Sequence, residues 1–411
     1  MSRQDNRLAR SAPSRLPALL TINQVVGPLN VELMTDLAQA GIRCAVVTGW
    51  VDAAPGQELP FTILRAKPLV KSPGWKRLWT WGVFSVQSMW HMVRGRRTPM
   101  VVVTNPPLPM LFMPLLKRLF GLRYVLLIYD IYPDVVEQMG KLRLGGVVSR
   151  LWRRLSRRSL LGAEGVITLG PHMADTLRGH LLAGDTCSVE VIPNWADTDF
   201  VRPIAKTENP FAKEQGIAEK FVVMYSGNFG ATHDTESIVE AAERLRDLKD
   251  VCFVLIGGGT REREVAAMVA SKNLPNLRLL PFQPFAVLPY SLTAADCAIV
   301  CLDEGYEGVS VPSKTYYALA AGSALLAVGS PGTELADLVA EHRCGEQVMP
   351  RRPDLLADAI RRLHGDRELL KRYRTAARSA AEQYFSRREA TRHYQDYLIA
   401  RLACPAEGVK G

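Results

Sequence analysis

The chain has 411 residues, of which 47% are apolar, 22% charged and 8% aromatic. That is long enough for two domains, each with its own core, and the composition excludes disordered, collagen-like and disulfide-scaffold classes. The formal net charge of +10 lies wholly in the first half, since residues 1–200 hold 24 Lys and Arg against 14 Asp and Glu while residues 201–411 hold 27 of each.

The first 17 residues are polar and are expected to form a disordered N-terminal segment, with no signal-peptide pattern after them. Strand-length apolar runs then follow at Ala18–Val25, Cys44–Thr48, Met100–Val103, Tyr124–Tyr129, Gly165–Leu169 and Val189–Ile192, separated by longer helical patterns such as Asn30–Ala40. This alternation predicts βαβ units around a buried parallel sheet. Between Arg65 and Arg158 there are 18 basic residues against Asp130, Asp134 and Glu137, together with five of the seven tryptophans. Cations interleaved with Trp suit an anionic lipid surface, so a peripheral membrane contact is expected here in preference to nucleic acid; the plainer alternative is a solvated basic face over core tryptophans. The longest apolar region, Leu108–Tyr132, carries Lys117, Arg118 and Arg123 near its middle and is not read as a membrane span. Seven cysteines without a C-x-x-C pair are expected to be buried, reduced thiols of a cytoplasmic protein.

The segment Val191–Pro203 ends a strand and is interrupted by Pro193, Asn194 and Pro203, which places a domain boundary there. A second set of strands follows at Phe221–Tyr225, Cys252–Ile256, Leu277–Leu280, Cys297–Cys301, Leu325–Val328 and Gly345–Met349, with a helix over Ser237–Leu248. The expected organisation is α/β, with Rossmann-like doubly wound domains over 18–200 and 201–385. The stretch Ala377–Leu402 is read as a helix returning to the first domain, so that 386–411 forms a C-terminal crossing segment. Two such domains leave a ligand cleft between the carboxyl ends of their strands.

Three stretches of the second half carry chemistry. Phe221–Gly230 is a strand running into a small-residue turn ahead of His233, Asp234 and a helix, an arrangement whose backbone N–H groups suit a diphosphate. Gly257, Gly258 and Gly259 follow a strand, but Glu262 stands where the dinucleotide fingerprint needs glycine, so an NAD site is not expected. Gly308–Gly322 reads as a loop and then a helix from about Ser313, and Lys314 at its amino end calls for a compensating anion. Apart from Asp197–Asp199 there is no D-x-D, the histidines are scattered, and no metal is expected.

Taken together, Val191-Ile-Pro-Asn194, Tyr225-Ser-Gly-Asn228 with His233, Ile256–Gly259, Leu280–Pro284, Ala294-Ala-Asp296, Val311-Pro-Ser-Lys314 and Leu319-Ala-Ala-Gly322 resemble the family 4 glycosyltransferases of GT-B fold. Bacterial members that build surface polysaccharides are the nearest likeness, and Ile128–Asp134 is similar to the family's D-x-W-P-E segment. The resemblance implies a retaining, metal-independent hexosyl transfer from a nucleotide diphosphate donor, UDP in preference to GDP, with no cofactor. Its implied donor-binding residues are Gly27, the cradle Ser226, Gly227 and Asn228, His233, Gly257 and Gly258, Phe282 and Gln283 beside the base, and Glu307, Pro312, Ser313 and Tyr317. Lys314 would touch the diphosphate, and Asp130 or Asp134 would orient or deprotonate the acceptor hydroxyl. Two positions depart from the family: Tyr317 replaces an acidic residue, for which Glu307 is the expected stand-in, and Asn228 and Asp234 replace Arg and Lys of the diphosphate turn. The expected reaction is sugar transfer to a lipid-linked saccharide at the inner membrane face. A nucleotide-sugar epimerase and a non-catalytic GT-B-like subunit are the alternatives.

Overall fold

The computed structural model describes residues 16–53, 57–70, 74–230, 233–303 and 305–403. Its strands are Ala18–Ile22 (β1), Val25–Val26 (β2), Arg43–Thr48 (β3), Trp50–Val51 (β4), Thr62–Arg65 (β5), Met100–Val103 (β6), Tyr124–Ile128 (β7), Gly165–Thr168 (β8) and Val189–Val191 (β9) in the first domain. The second domain contributes Phe221–Asn228 (β10), Val251–Gly258 (β11), Leu277–Leu280 (β12), Cys297–Cys301 (β13), Ala324–Val328 (β14) and Gly345–Val348 (β15). The first sheet runs β5-β3-β1-β6-β7-β8-β9 and the second β12-β11-β10-β13-β14-β15, all pairs parallel, with β2 and β4 forming a separate short ribbon. Both sheets reverse strand order beside their first strand, the position at which parallel sheets leave a crevice.

Central strands such as β7 and β11 are buried along their whole length because helices cover both sheet faces. The run read as Ala18–Val25 divides into β1 and β2, with Asn23 and Gln24 between them. Of the segment expected to be disordered, residues 1–15 lie outside the described residues and Leu16 is 4% exposed, packed in the first-domain core. The six described cysteines are free, five of them buried; Cys404 lies outside the described residues.

The stretch Ala377–Leu402, expected as one helix, is instead two, Arg367–Gln383 and Arg387–Leu402. The break is where the chain crosses back between domains. Ala196 N–H donates to Phe385 O and Arg387 N–H donates to Ala196 O, both at 3.0 Å, so outgoing and returning strands are zipped together. Ser386 then caps the final helix. That helix buries Tyr394 and Leu398 against the first domain, with Tyr394 edge-on to the fully buried Trp195 at 5.8 Å. Across the molecule the loop after β13 inserts Leu302, Tyr306 and Val309 into the first-domain core, and Glu334 accepts the Met173 N–H at 2.8 Å.

Strands β10 and β11 pair as far as Asn228 and Gly258, which carries the sheet into the crevice. A Cβ at Gly257 would lie 1.9 Å from Gly227 O, so only glycine fits. Gly257→Ala is therefore expected to lose about 1–3 kcal/mol of stability through forced backbone displacement. Urea unfolding followed by circular dichroism checks this, and an unchanged midpoint would contradict the close approach.

Candidate active site

The second-domain side of the crevice is organised by Tyr225 and Lys314. Lys314 opens the helix Lys314–Ala320 and donates through Nζ to the Tyr225 hydroxyl at 2.7 Å, with the ammonium 3.9 Å from the ring centroid. The Tyr225 hydroxyl in turn donates to Asn228 O at 2.7 Å, tying the lysine to the turn that follows β10. A Cβ on Gly227 would sit 3.5 Å from Nζ, so the bare glycine leaves the ammonium beside the turn's backbone. Burial pushes the Lys314 ammonium down to about 8. Burial and the Lys314 charge together push His233 to about 3, so its ring is neutral at physiological pH. Asp234, where relatives of the resemblance carry lysine, caps the helix Thr235–Arg244 through Ser237 N–H and also accepts Arg351 N–H at 2.7 Å.

A cavity of about 450 Å³ occupies the crevice between the domains. It is lined from the first domain by Gly27, Asn30, Tyr129 and Asp130, and from the second by Phe285, Ser310, Ser313 and Tyr317. Gly27 precedes the helix Pro28–Gln39, whose amino end thus faces the cavity, and nothing lies within 4 Å of where a Gly27 side chain would begin. Asn194 from the interdomain connection also lines it, with its Oδ1 buried and without a hydrogen-bond partner. Phe285 stacks on Phe200 at 4.7 Å and presents an exposed ring at the same cavity.

The two candidate carboxylates separate. Asp130, just beyond β7, lines the cavity; burial raises its pKa, opposed by a hydrogen bond from Ser310 of the other domain and by the charge of Arg77. Asp134 turns into the first domain, where it meets Arg153 at 2.8 Å and His180 at 3.2 Å. Burial alone would raise it, but the hydrogen bonds and charges of His180 and Arg153 prevail and hold it below the usual carboxylate value. Asp134 therefore anchors the helix Val147–Gly162 together with Glu137, which also engages Arg153 and Ser149.

The remaining candidates are spread around this core. Ser226, Gly227, Asn228, Gly257 and Gly258 form the paired strand ends, and the exposed Phe282 lies against Gly258. Gln283 donates to Pro281 O at 2.8 Å, and Pro312 O accepts the Thr315 hydroxyl at 2.7 Å. Glu307 is half-buried in the loop after β13 and is not among the residues lining the cavity. Glu32, by contrast, acts electrostatically on Tyr317, and it accepts the Trp195 indole N–H at 2.7 Å. Burial raises Glu32 to about 7. Tyr225, Asn194, Phe285, Ser310 and Glu32 were not among the expected site residues; Tyr225, Asn194 and Ser310 stood in the motif segments and Glu32 in the helical stretch Asn30–Ala40, whereas Phe285 lay just outside Leu280–Pro284. Among the described residues no group of three or more His, Cys, Asp or Glu is placed to hold a metal ion.

Comparison with known proteins matches residues 207–380 to the family "Glycosyl transferases group 1" and residues 27–195 to "Glycosyl transferase 4-like domain". The chain is 31% identical over 268 residues to "Probable glycosyltransferase WbjE" of Pseudomonas aeruginosa, a match covering 65% of this chain and 66% of that protein. It is 28% identical over 328 residues to "Putative colanic acid biosynthesis glycosyl transferase WcaI" of Escherichia coli K12, covering 78% and 79%. Among solved structures it is similar to Anabaena Alr3699/HepE in complex with UDP-glucose, with a TM-score of 0.71 at 16% identity over 93% of this chain and 99% of that one.

The depressed Lys314 pKa makes anion binding pH-dependent. The ammonium is charged below about 8 and progressively neutral above it. An anion restores the charge by raising the pKa of the complex, so above that point binding must take up a proton. UDP affinity is thus expected to be flat from pH 6.5 to 7.5 and to fall by up to about tenfold per pH unit beyond 8. Calorimetry in buffers of different ionisation enthalpy reads the proton uptake directly; flat affinity to pH 9 would remove Lys314 from the anion site.

Proposed function

Because the chain belongs to the group 1 glycosyl transferases, with a GT-B fold and a family 4-like first domain, we propose that it moves a hexose from a UDP-sugar to a lipid-linked saccharide during surface polysaccharide synthesis, with retention of configuration. The observation that supports this reading is an interdomain cavity lined by Asp130 from the first domain and by Ser313 from the second, with Lys314 next in sequence to Ser313 and bonded to Tyr225 of β10. Lys314, the N–H groups after Gly227 and the amino end of Pro28–Gln39 stabilise the charge growing on the departing diphosphate. Asp130, kept basic by burial and oriented by Ser310, accepts the hydrogen bond of the attacking hydroxyl. Asn194 Oδ1 receives a donor hydroxyl, and Phe285 offers a flat apolar face to the base. The preference for UDP is supported by the UDP-glucose complex of the Anabaena relative in fold.

A lipid-linked acceptor is supported by the outer face of the first domain. The helices Gly74–Arg94, Leu108–Phe120 and Val147–Gly162 pack side by side. They expose Trp75, Trp79, Trp90, Leu115, Leu119, Val148 and Leu151. Each of the three tryptophans carries a cation over its ring, Lys76, Lys67 and Arg94 respectively, at 4.9 to 5.4 Å. Trp195 and Trp81 are core residues instead, 0% and 6% exposed. Among the described residues no helix is long and apolar enough to cross a membrane, so attachment to the inner face is peripheral in this reading.

The test is incorporation of label from UDP-sugar into lipid-extractable product with membrane extract as acceptor. Donor-dependent product is expected, unaffected by EDTA. Lys314→Ala should lower it about 10²-fold, and Asp130→Asn about 10²- to 10⁴-fold with UDP affinity retained. Absence of product would favour the non-catalytic subunit, to which Tyr317 points, and conversion of the donor sugar without acceptor would favour the epimerase.

The full chain should sediment with phosphatidylglycerol vesicles and not with phosphatidylcholine, since each basic residue near an anionic surface adds on the order of 1 kcal/mol and is screened within about 8 Å at physiological salt. Replacing Trp75, Trp79 and Trp90 together by Ser should weaken that binding by about tenfold. Equal binding to both lipids would remove the electrostatic argument.

A further inference from the structure

A second cavity, of about 580 Å³, lies on the first-domain side of Asp130. It shares Asp130 and Ser310 with the crevice, so a molecule filling it ends where the donor site begins. Its walls are apolar and aromatic. Tyr132 stacks on Trp152 with centroids 5.8 Å apart and planes within 6°, Trp81 stands edge-on to Tyr132 at 6.4 Å, and Val135, Val136 and Leu302 complete the lining.

Beside the Asp130 carboxylate and the hydroxyls of Tyr132, Tyr306 and Ser310, the lining carries a set of N–H donors. The indole Nε1 atoms of Trp81 and Trp152 are buried and have no hydrogen-bond partner, and Trp81 is only 6% exposed. Arg77, whose guanidinium lies 4.7 Å over the Trp81 ring, and Lys141 also line the space. Buried N–H groups without acceptors are costly, and Arg77, which also acts on Asp130, and the exposed Lys141 add positive charge on that side of the space, which suits an anion with several acceptor oxygens. Gly74 and Leu78 line the cavity too, and Leu78 is 62% exposed between Trp75 and Trp79, which are 67% and 55% exposed. The cavity is thus bounded on one side by the Trp-rich outer face and on the other by Asp130.

Resting on the transferase reading above, we infer that this cavity binds the acceptor's lipid carrier at its phosphate, with Arg77, Lys141 and the two indole N–H groups on the phosphate oxygens and the first carbons of the chain between Trp81, Val135 and Leu78. An uncharged sugar has no use for the two cations, and a free phosphate has none for the apolar walls. The carrier's saccharide then projects to Asp130 and its chain leaves toward the bilayer.

Octyl phosphate is the probe, titrated into the full chain by calorimetry without donor, beside octanol, inorganic phosphate and phosphatidylglycerol vesicles. Octyl phosphate is expected to bind at least about tenfold more tightly than either octanol or inorganic phosphate. Trp81→Phe, which keeps the ring and deletes the N–H, and Lys141→Gln, at an exposed position, should each weaken it by about five- to tenfold, with UDP affinity unchanged. Inorganic phosphate binding as well as octyl phosphate, or octanol doing so, would overturn the inference, as would indifference to both substitutions or binding to vesicles alone. UDP titration of the same samples keeps the two readings apart: octyl phosphate binding that survives without sugar transfer fails the transferase reading, and UDP-dependent transfer without octyl phosphate binding fails this one.

Discussion

Two parallel sheets can share a crevice only if the two chain crossings between them are held in a fixed relation, and here Arg387 does that holding. Its guanidinium binds Asp36 of the helix Pro28–Gln39 at 2.6 Å and Asp197 of the outgoing connection at 3.1 Å, while its own N–H is hydrogen-bonded to Ala196 O. One side chain thus ties the first-domain helix beside the cavity, the link out and the link back. The partly buried setting makes these charge-assisted bonds stronger than exposed pairs, and Asp36 and Asp197 together neutralise the cation. Trp195, buried next to this clamp with its indole N–H on Glu32, fills the space that the two crossings enclose.

The relation set there decides what meets across the crevice. Ser310 reaches Asp130, and Ile131 N–H donates to Val309 O at 3.2 Å, so the loop after β13 completes the first domain's wall. Each side contributes a different polarity. The second domain offers a lysine held against a tyrosine ring and a turn of backbone N–H groups, and the first offers a buried carboxyl whose basicity is raised. Burial moves the two groups in opposite directions, the ammonium down and the carboxyl up, which is the pairing on which the proposed transfer rests.

The charge asymmetry of the chain has a matching spatial order. Basic and tryptophan-bearing helices lie on the outer face of the first domain, the second cavity lies beside them, and the crevice lies beyond Asp130. The second half of the chain is neutral in net charge. Neither half serves alone, because the helix Arg387–Leu402 and the loop after β13 each bury apolar side chains in the other domain's territory.

Alternating apolar runs and the glycines of β10 and β11 were enough by themselves to determine two doubly wound sheets and the close approach of two strand ends, because strand period and glycine's backbone freedom are local properties. Lys314 was legible for the same reason, as a cation at a helix start next to Gly-rich strand ends. Local pattern did not separate Asp130 from Asp134, four residues apart in one segment, since only the positions of Arg153 and His180 turn one of them inward. It also did not reveal the break at Tyr384–Ser386, where a continuous helical period yields to hydrogen bonds with Ala196, nor Ser310 and Glu32, whose partners Asp130 and Trp195 are distant in the chain, nor Asn194, whose place is in a cavity wall. Those assignments belong to tertiary structure because they rest on which charges and donors become neighbours after two separate sheets are brought face to face, and sequence period carries no information about that distance.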